Sequence, residues 1–341
     1  MIPNFIFENI IENDPKNKKK YVKNILEAET HRKDREVFKI LRKKGLLTAH
    51  PPNHNEHIIN YDNQQSWDYN KSKIIEEFKE NHTVDKKKVP NHQLTKYIDG
   101  IYDFFHNMLH RESYDNKNVS VNAFMNFGVE YSNAFWDGAN LAFGEGDGLY
   151  FKTFILPDIA AHEFTHAVQD YEAAFRYYGQ SGALNEHISD VFGIAFDQIY
   201  KKQDVTTSKW LIGEGLWTSR VNGVALRSMK DPGTAYNDSV VGSDPQPAHM
   251  NDFVKTSDDD GGVHINSGIP NRAFYLANMA VGGKIQYNKI GRIWYDTILK
   301  KNGLGELTDF QTFAKGTLRH AKRMKMENVI IDAWKQVGII L

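Results

Sequence analysis

The residues best placed to do chemistry are His162-Glu163-Phe164-Thr165-His166, followed at a distance by Glu186 within Gly182-Ala183-Leu184-Asn185-Glu186. Residues four apart share one face of a helix, so both imidazoles can point at a single metal ion. Two neutral histidines and one carboxylate leave a fourth tetrahedral position open for water, which is what a hydrolytic zinc ion needs. Glu163 sits one step round the helix, close enough to take a proton from that water. This set predicts a zinc-dependent hydrolase acting on peptide bonds.

On its own, H-E-x-x-H also arises by chance on surface helices with ordinary histidines. The second segment changes the balance. Ala183 to Tyr200 reads as a helix, with Leu184, Ile188, Val191, Phe192, Ala195 and Ile199 on an apolar face. Glu186 and Asp190 are four apart on it, so one carboxylate can bind the metal while the other holds a ligand imidazole, as zinc-bound histidines usually require. His187 adjoins Glu186 and is a rival ligand by type, but it points about 100° away round the helix.

These elements sit in a chain of 341 residues, 40% hydrophobic and 12% aromatic, which is globular material for two lobes. A formal net charge of −1 gives no overall pull toward nucleic acid or an anionic membrane. Cysteine is absent, which excludes a disulfide framework, a thiol nucleophile and cysteine-ligated zinc. No apolar run approaches the roughly 18 residues of a membrane span. The opening MIPNFIFENIIEND has no basic leader, sustained apolar centre or small-residue cleavage site. The expectation is cytoplasmic synthesis without a Sec signal peptide and no stable membrane association, with export by a non-Sec route left open.

Residues 15 to 45 carry twelve Lys or Arg against four acids, with Val22, Ile25, Leu26, Val37, Ile40 and Leu41 at helical spacing. A solvated basic helix face is the expectation over a nucleic-acid patch. The prolines of Thr48–Asn55 mark a linker, and His50, His54 and His57 read as solvated. Leu94–Arg111 predicts an amphipathic helix and Val119–Phe127 a strand; Asn133–Gly138 turns back into Leu141–Phe143. Gly144-Glu145-Gly146-Asp147-Gly148 lacks phosphate-loop spacing and reads as a tight turn. Further helices are expected near 270–280, 286–300, 308–322 and 327–336.

Five ordered motifs carry a resemblance: Asn133-Ala134-Phe135-Trp136, the H-E-F-T-H helix, Ser181–Glu186, Leu226-Arg227-Ser228-Met229 and Gly261–Gly268. Together they resemble the thermolysin family of metallopeptidases over roughly residues 90 to 341. That family is itself the type example of a two-His, one-Glu zinc site, so this ligand set also comes with the resemblance. The short basic segment opening Ile2-Pro3-Asn4-Phe5 looks like the compact propeptide of the protealysin branch. The resemblance implies an α+β, two-lobed fold: residues 1–48 a short propeptide, 49–157 a β-rich N-terminal lobe, 158–341 a mainly helical C-terminal lobe, with the active-site helix between them.

Residue roles follow from the resemblance. His162, His166 and Glu186 would bind zinc, with Glu163 as general base. Asp190 would accept the free N–H of His162, and Asn185 would do the same for His166. His264 would be the transition-state histidine, oriented by Asp259, and Tyr177 rather than Tyr178 a second donor to the oxyanion. Arg227 would grip a substrate carbonyl, and Asn133 and Ala134 would lie on an edge strand that pairs with extended substrate. Ile159, Ile212, Leu216 and Leu226 would line an apolar pocket, implying cleavage before bulky hydrophobic residues of protein or peptide substrates.

Calcium-binding relatives cluster carboxylates where Asp158, Asp197 and Glu214 fall here, but Lys209 and Leu211 replace expected acids. Lys209 is expected to stand in for calcium, leaving calcium dependence weak or absent. Gly45-Leu46-Leu47 offers the implied specificity a self-cleavage point. Two rivals stay in view: hydrolysis of a small amide or ester, and a non-catalytic protein that keeps its propeptide as a bound partner.

Overall fold

The structure, a computed structural model, describes residues 1–46, 56–79, 93–173, 175–285 and 288–341. The linker expected at Thr48–Asn55, with Leu47, His50 and His54, lies outside the described residues, as does the side chain of His57.

Two helices lead, α1 (Asn4–Asn13) and α2 (Lys18–Lys43). A sheet-bearing region follows: β1 (Glu56–Asp62), β2 (Lys73–Lys79), helix α3 (Gln93–Leu109), β3 (Val121–Met125), β4 (Ala134–Trp136) and β5 (Leu141–Phe143). The strands form one mixed sheet in the order β2-β1-β3-β5-β4, which leaves β4 on an edge. β1, β3 and β5 run parallel to one another, while the edge strands β2 and β4 are antiparallel to their neighbours β1 and β5. β1 and β2 escape the sequence reading because Lys73-Ile-Ile-Glu-Glu-Phe-Lys does not alternate cleanly, and its pairing with β1 is interrupted by register shifts.

Beyond residue 156 the chain is mainly helical: α4 (Pro157–Tyr171), α5 (Gly179–Tyr200), two short strand pairs, β6 (Leu211–Ile212) with β7 (Arg227–Ser228) and β8 (Asn237–Asp238) with β9 (Gly242–Ser243), then α6 (Asp258–Asn266), α7 (Gly268–Val281), α8 (Ile290–Ile298), α9 (Phe310–Met324) and α10 (Glu327–Gln336). α4 begins with proline in its first turn and Asp158 beside the positive helix end, both favourable there. Ile159, Phe164, Ala167 and Val168 of α4 and Leu184, Ile188, Val191 and Phe192 of α5 are all buried in one core. Truncating either phenylalanine to alanine would cost about 3–5 kcal/mol. Gly193 lets α5 come close to α4: a Cβ there would stand 2.8 Å from the Asp158 carbonyl oxygen and 3.6 Å from the His162 Cβ. That approach brings the two ligand-bearing helices within reach of one ion.

α2 keeps the expected solvated basic face at Lys18, Lys19, Lys23, Lys33 and Lys43, but the face it buries is not the apolar one. Its buried stripe is Tyr21, Asn24, Ala28, His31, Arg35 and Lys39, whereas Val22, Leu26, Val37 and Ile40 are exposed. The helix turns polar and basic groups inward because the surface it covers offers carboxylate and carbonyl oxygens, which apolar side chains would leave unsatisfied.

Candidate active site

α4 and α5 bring His162, His166 and Glu186 together with their donor atoms within 4.8 Å of one another, all three buried. His162 Nε2 lies 3.4 Å from Glu186 Oε2, and His166 Nε2 lies 3.3 Å from Glu186 Oε1. A tetrahedral zinc bonded at roughly 2.0–2.1 Å sets its ligand atoms roughly 3.3–3.4 Å apart. His162 Nε2 and Glu186 Oε2 have no hydrogen-bond partner although both are buried. Such orphaned atoms are costly unless a cation satisfies them, so the donor set fits zinc.

The backs of both imidazoles are held. His162 Nδ1 is 2.8 Å from Asp190 Oδ1, and His166 Nδ1 is 2.7 Å from Asn185 Oδ1. Arg227 grips Asp190 with both ends of its fork, Nε to Oδ2 at 2.9 Å and Nη2 to Oδ1 at 2.7 Å. Burial alone would raise the Asp190 carboxyl, but Arg227 and His162 hold it well below the usual carboxylate range. Burial, with Arg35 nearby, lowers His166 to about 4, which favours the neutral imidazole that metal binding requires.

Glu163 is 1% exposed, and its Oε1 has no hydrogen-bond partner; the Met1 amino group stands 3.8 Å away. Tyr177 Oη donates to Glu186 Oε1 at 2.6 Å and lies 3.3 Å from His264 Nε2, while Tyr178 is 50% exposed, which separates these neighbours. His264 Nδ1 is 2.6 Å from Asp259 Oδ1, and Asp259 Oδ2 also accepts the His264 backbone N–H. Residues Asp259 to Gly262 adopt left-handed backbone, the turn that folds Asp259 back beneath His264.

The remaining expected residues divide. Asn133 precedes edge strand β4, its Oδ1 accepting the Ala134 N–H at 2.9 Å and the Ile2 N–H at 3.0 Å. Arg227 Nη1 donates to the Met1 carbonyl at 3.3 Å. Ile212, Leu216 and Leu226 surround Gly213, and Ile159 is buried on α4. Asp158, Asp197 and Glu214 converge as expected, but the ammonium among them is that of Lys201. It reaches Asp197 at 2.9 Å and Glu214 at 3.8 Å. Lys209, expected there, is 69% exposed and touches only Glu214 of this group, because it approaches from the solvent side. Burial and the neighbouring Asp158 raise Asp197 to about 7.

One contact set had no sequence signal beyond spacing. Asp170, four residues after His166, is buried and takes Arg35 Nη2 at 3.0 Å, Arg42 Nη2 at 3.4 Å and Trp136 Nε1 at 2.9 Å. Lys39 Nζ donates to the Phe175 carbonyl at 2.9 Å. α2 therefore lies across the cleft beside the metal ligands, and His31 stacks on Phe135 of the edge strand at 3.6 Å. A cavity of about 490 Å³ remains beneath it, lined by Met1, His31, Arg35, Phe135, Glu163 and Tyr177 among others.

This fold and donor set define a metalloendopeptidase, and the chain belongs to the thermolysin family. The family model for the thermolysin metallopeptidase catalytic domain matches residues 28–170, and that for the alpha-helical domain matches 173–339. Within the family it is protealysin-like. The precursor of protealysin, the metalloproteinase from Serratia proteamaculans, superposes with a TM-score of 0.84 at 36% identity over 99% of each chain. The extracellular metalloprotease of Pectobacterium carotovorum subsp. carotovorum is 46% identical over 247 residues, 71% of each chain. Protease PrtS of Photorhabdus sp. (strain Az29) is 44% identical over 250 residues, 72% of this chain and 67% of that one. The family implies zinc. Among the described residues no helix is long and apolar enough to cross a membrane.

Proposed function

We propose that this endopeptidase cleaves on the N-terminal side of bulky hydrophobic residues, and that residues 1–48 are a propeptide the enzyme removes itself. When bound, zinc supplies Lewis acidity to the scissile carbonyl and lowers the pKa of water. Glu163 takes the proton of the attacking water and passes it to the leaving amine. Tyr177 and His264 donate hydrogen bonds to the oxyanion, and Asp259 fixes the His264 ring for that purpose. Asp190 and Asn185 hold the Nδ1 protons of His162 and His166, which leaves each Nε2 free as a ligand.

Extended substrate adds to the β4 edge through Asn133 and Ala134, and Arg227 takes its carbonyl. Ile159, Ile212, Leu216 and Leu226 supply an apolar pocket for the residue after the scissile bond. The observation that carries the propeptide reading is that Met1 and Ile2 already engage Arg227 and Asn133, the backbone partners assigned to substrate. The extracellular designation of the Pectobacterium relative supports action outside the cell. Weak calcium dependence, with Lys201 as the fixed cation of the Asp158–Asp197–Glu214 cluster, completes the reading.

The test is a digest of labelled peptides beside mass spectrometry of stored protein, wild type against Glu163→Ala. Cuts before Leu, Ile, Phe or Met, and trimming near Gly45–Leu47 in wild type alone, are expected. Equal trimming of both proteins contradicts self-processing, and cuts before charged residues contradict the pocket.

A further inference from the structure

His187 follows metal ligand Glu186 directly, yet it faces away from the ion and is fully buried. Its partners form a line leading back to the metal. Trp294 Nε1 donates to His187 Nε2 at 2.7 Å. His187 Nδ1 lies 2.8 Å from Asn271 Oδ1, Asn271 Nδ2 donates to Asp190 Oδ2 at 2.9 Å, and Asp190 Oδ1 meets His162 Nδ1 at 2.8 Å. His162, His187, Asp190, Asn271 and Trp294 are each 0% exposed, so water does not substitute for these contacts.

From Trp294 to Asn271 each hydrogen in this line is dictated by the one before it. An indole N–H is only a donor, so His187 Nε2 must present its lone pair. That excludes the imidazolium and places the ring proton on Nδ1, where it donates to Asn271. The Asn271 amide is thereby oriented, oxygen toward His187 and nitrogen toward Asp190. The reverse orientation would set its oxygen against a carboxylate and its N–H against another N–H. Asp190, an ionised carboxylate held by Arg227 and aligned by Asn271, takes the Nδ1 proton of His162 and leaves Nε2 bare toward the ion.

We infer that His187 is a positioning residue for the metal centre: through Asn271 it holds the Asp190 carboxylate in place to accept the Nδ1 proton of ligand His162. The inference rests on His162 binding the metal, as proposed above. Arg227 supplies Asp190 with two further donors, so the relay tunes the ligand rather than creating it.

Two substitutions separate relay from packing. In His187→Asn the amide nitrogen reaches the place of Nδ1, keeps the donor to Asn271 and abandons Trp294. In His187→Gln the amide oxygen reaches the place of Nε2, satisfies Trp294 and loses that donor. Zinc dissociation constants of the full chain, measured by competition with a chromophoric chelator, are expected to rise about tenfold in His187→Gln, at the lower end for partners of metal ligands, and to stay within about twofold in His187→Asn. The visible absorption of the cobalt-substituted protein should shift in the first and not in the second. Unchanged affinity in His187→Gln, or equal loss in both, overturns the inference.

Should His187→Gln fail to fold, Asn271→Leu removes the donor to Asp190, and wild-type affinity there is equally fatal. Ring ¹⁵N shifts of wild-type His187 give a reading free of variants: the proton is expected on Nδ1, and a proton on Nε2 refutes the relay. Failure of the wild type itself to bind zinc would instead overturn the metal assignment, not the tautomer argument.

Discussion

The metal centre and the N-terminal segment meet in one cleft but are held by opposite means. Around the centre, His162, His166 and Glu186 project from α4 and α5, whose other faces are buried apolar core. α2 instead presents His31, Arg35 and Lys39 to the cleft and leaves Val22, Leu26, Val37 and Ile40 in solvent. Apolar burial is non-directional and insensitive to single charges, whereas a polar docking face depends on a few pairings. The cleft thus rests on a continuous apolar core, while its cover rests on a few polar pairings.

The largest expected effect breaks the metal centre chemically without disturbing its fold. Glu163→Ala should lower peptide hydrolysis by about 10²–10⁴-fold while zinc content stays at the wild-type level, read by steady-state assay and metal analysis. Next, Tyr177→Phe should lower kcat about 10²–10³-fold with little change in KM. A loss confined to KM would mean that the hydroxyl serves binding alone.

The cover should respond to much milder changes. Arg35→Met in the Glu163→Ala background leaves Asp170 with Arg42 and Trp136, so the loss should sit near the low end for a broken buried pair, about 3 kcal/mol. Faster hydrogen exchange in α2, with α4 and α5 unchanged, is the expected pattern; uniform acceleration would erase the contrast between the two regions.

Acid offers a graded version of the same test. Burial lowers His31 to about 4 from its ordinary 6.5, so the docked helix carries a neutral ring stacked on Phe135. Its contribution is complete above pH 6.5 and is lost as pH falls toward 4, because only the released helix takes up the proton there. Arg35 holds Asp170 below the usual carboxylate range, so that pair persists through this window. Exchange in α2 should therefore rise between pH 6.5 and 4, and His31→Phe should flatten the slope. The smallest effect belongs to calcium: adding it should leave Tm unchanged in wild type, and a clear rise would show that Lys201 does not serve as the cation.

Much of the centre was legible because helical spacing is rigid. His162, Glu163 and His166 lie on one turn, and Glu186 with Asp190 on another, so their geometry follows from sequence offsets. His264 and Asp259 needed the resemblance, since a left-handed turn, not a helix, joins them. The orientation of α2 was illegible, because periodicity marks an apolar face without saying whether the neighbouring surface is polar. Lys201 was missed for a related reason: it lies four residues after Asp197, an ordinary helical pair until Glu214 is brought in from a distant loop. β1 and β2 were missed because β2 does not alternate cleanly and their pairing is interrupted by register shifts.

The central claim is that a single ion between His162, His166 and Glu186 makes this cleft hydrolytic. The most direct measurement is casein hydrolysis by the purified protein after chelator stripping, followed as zinc is titrated back. Activity should fall to background and return in full at one zinc per chain. Hydrolysis that survives complete removal of metal would contradict the account.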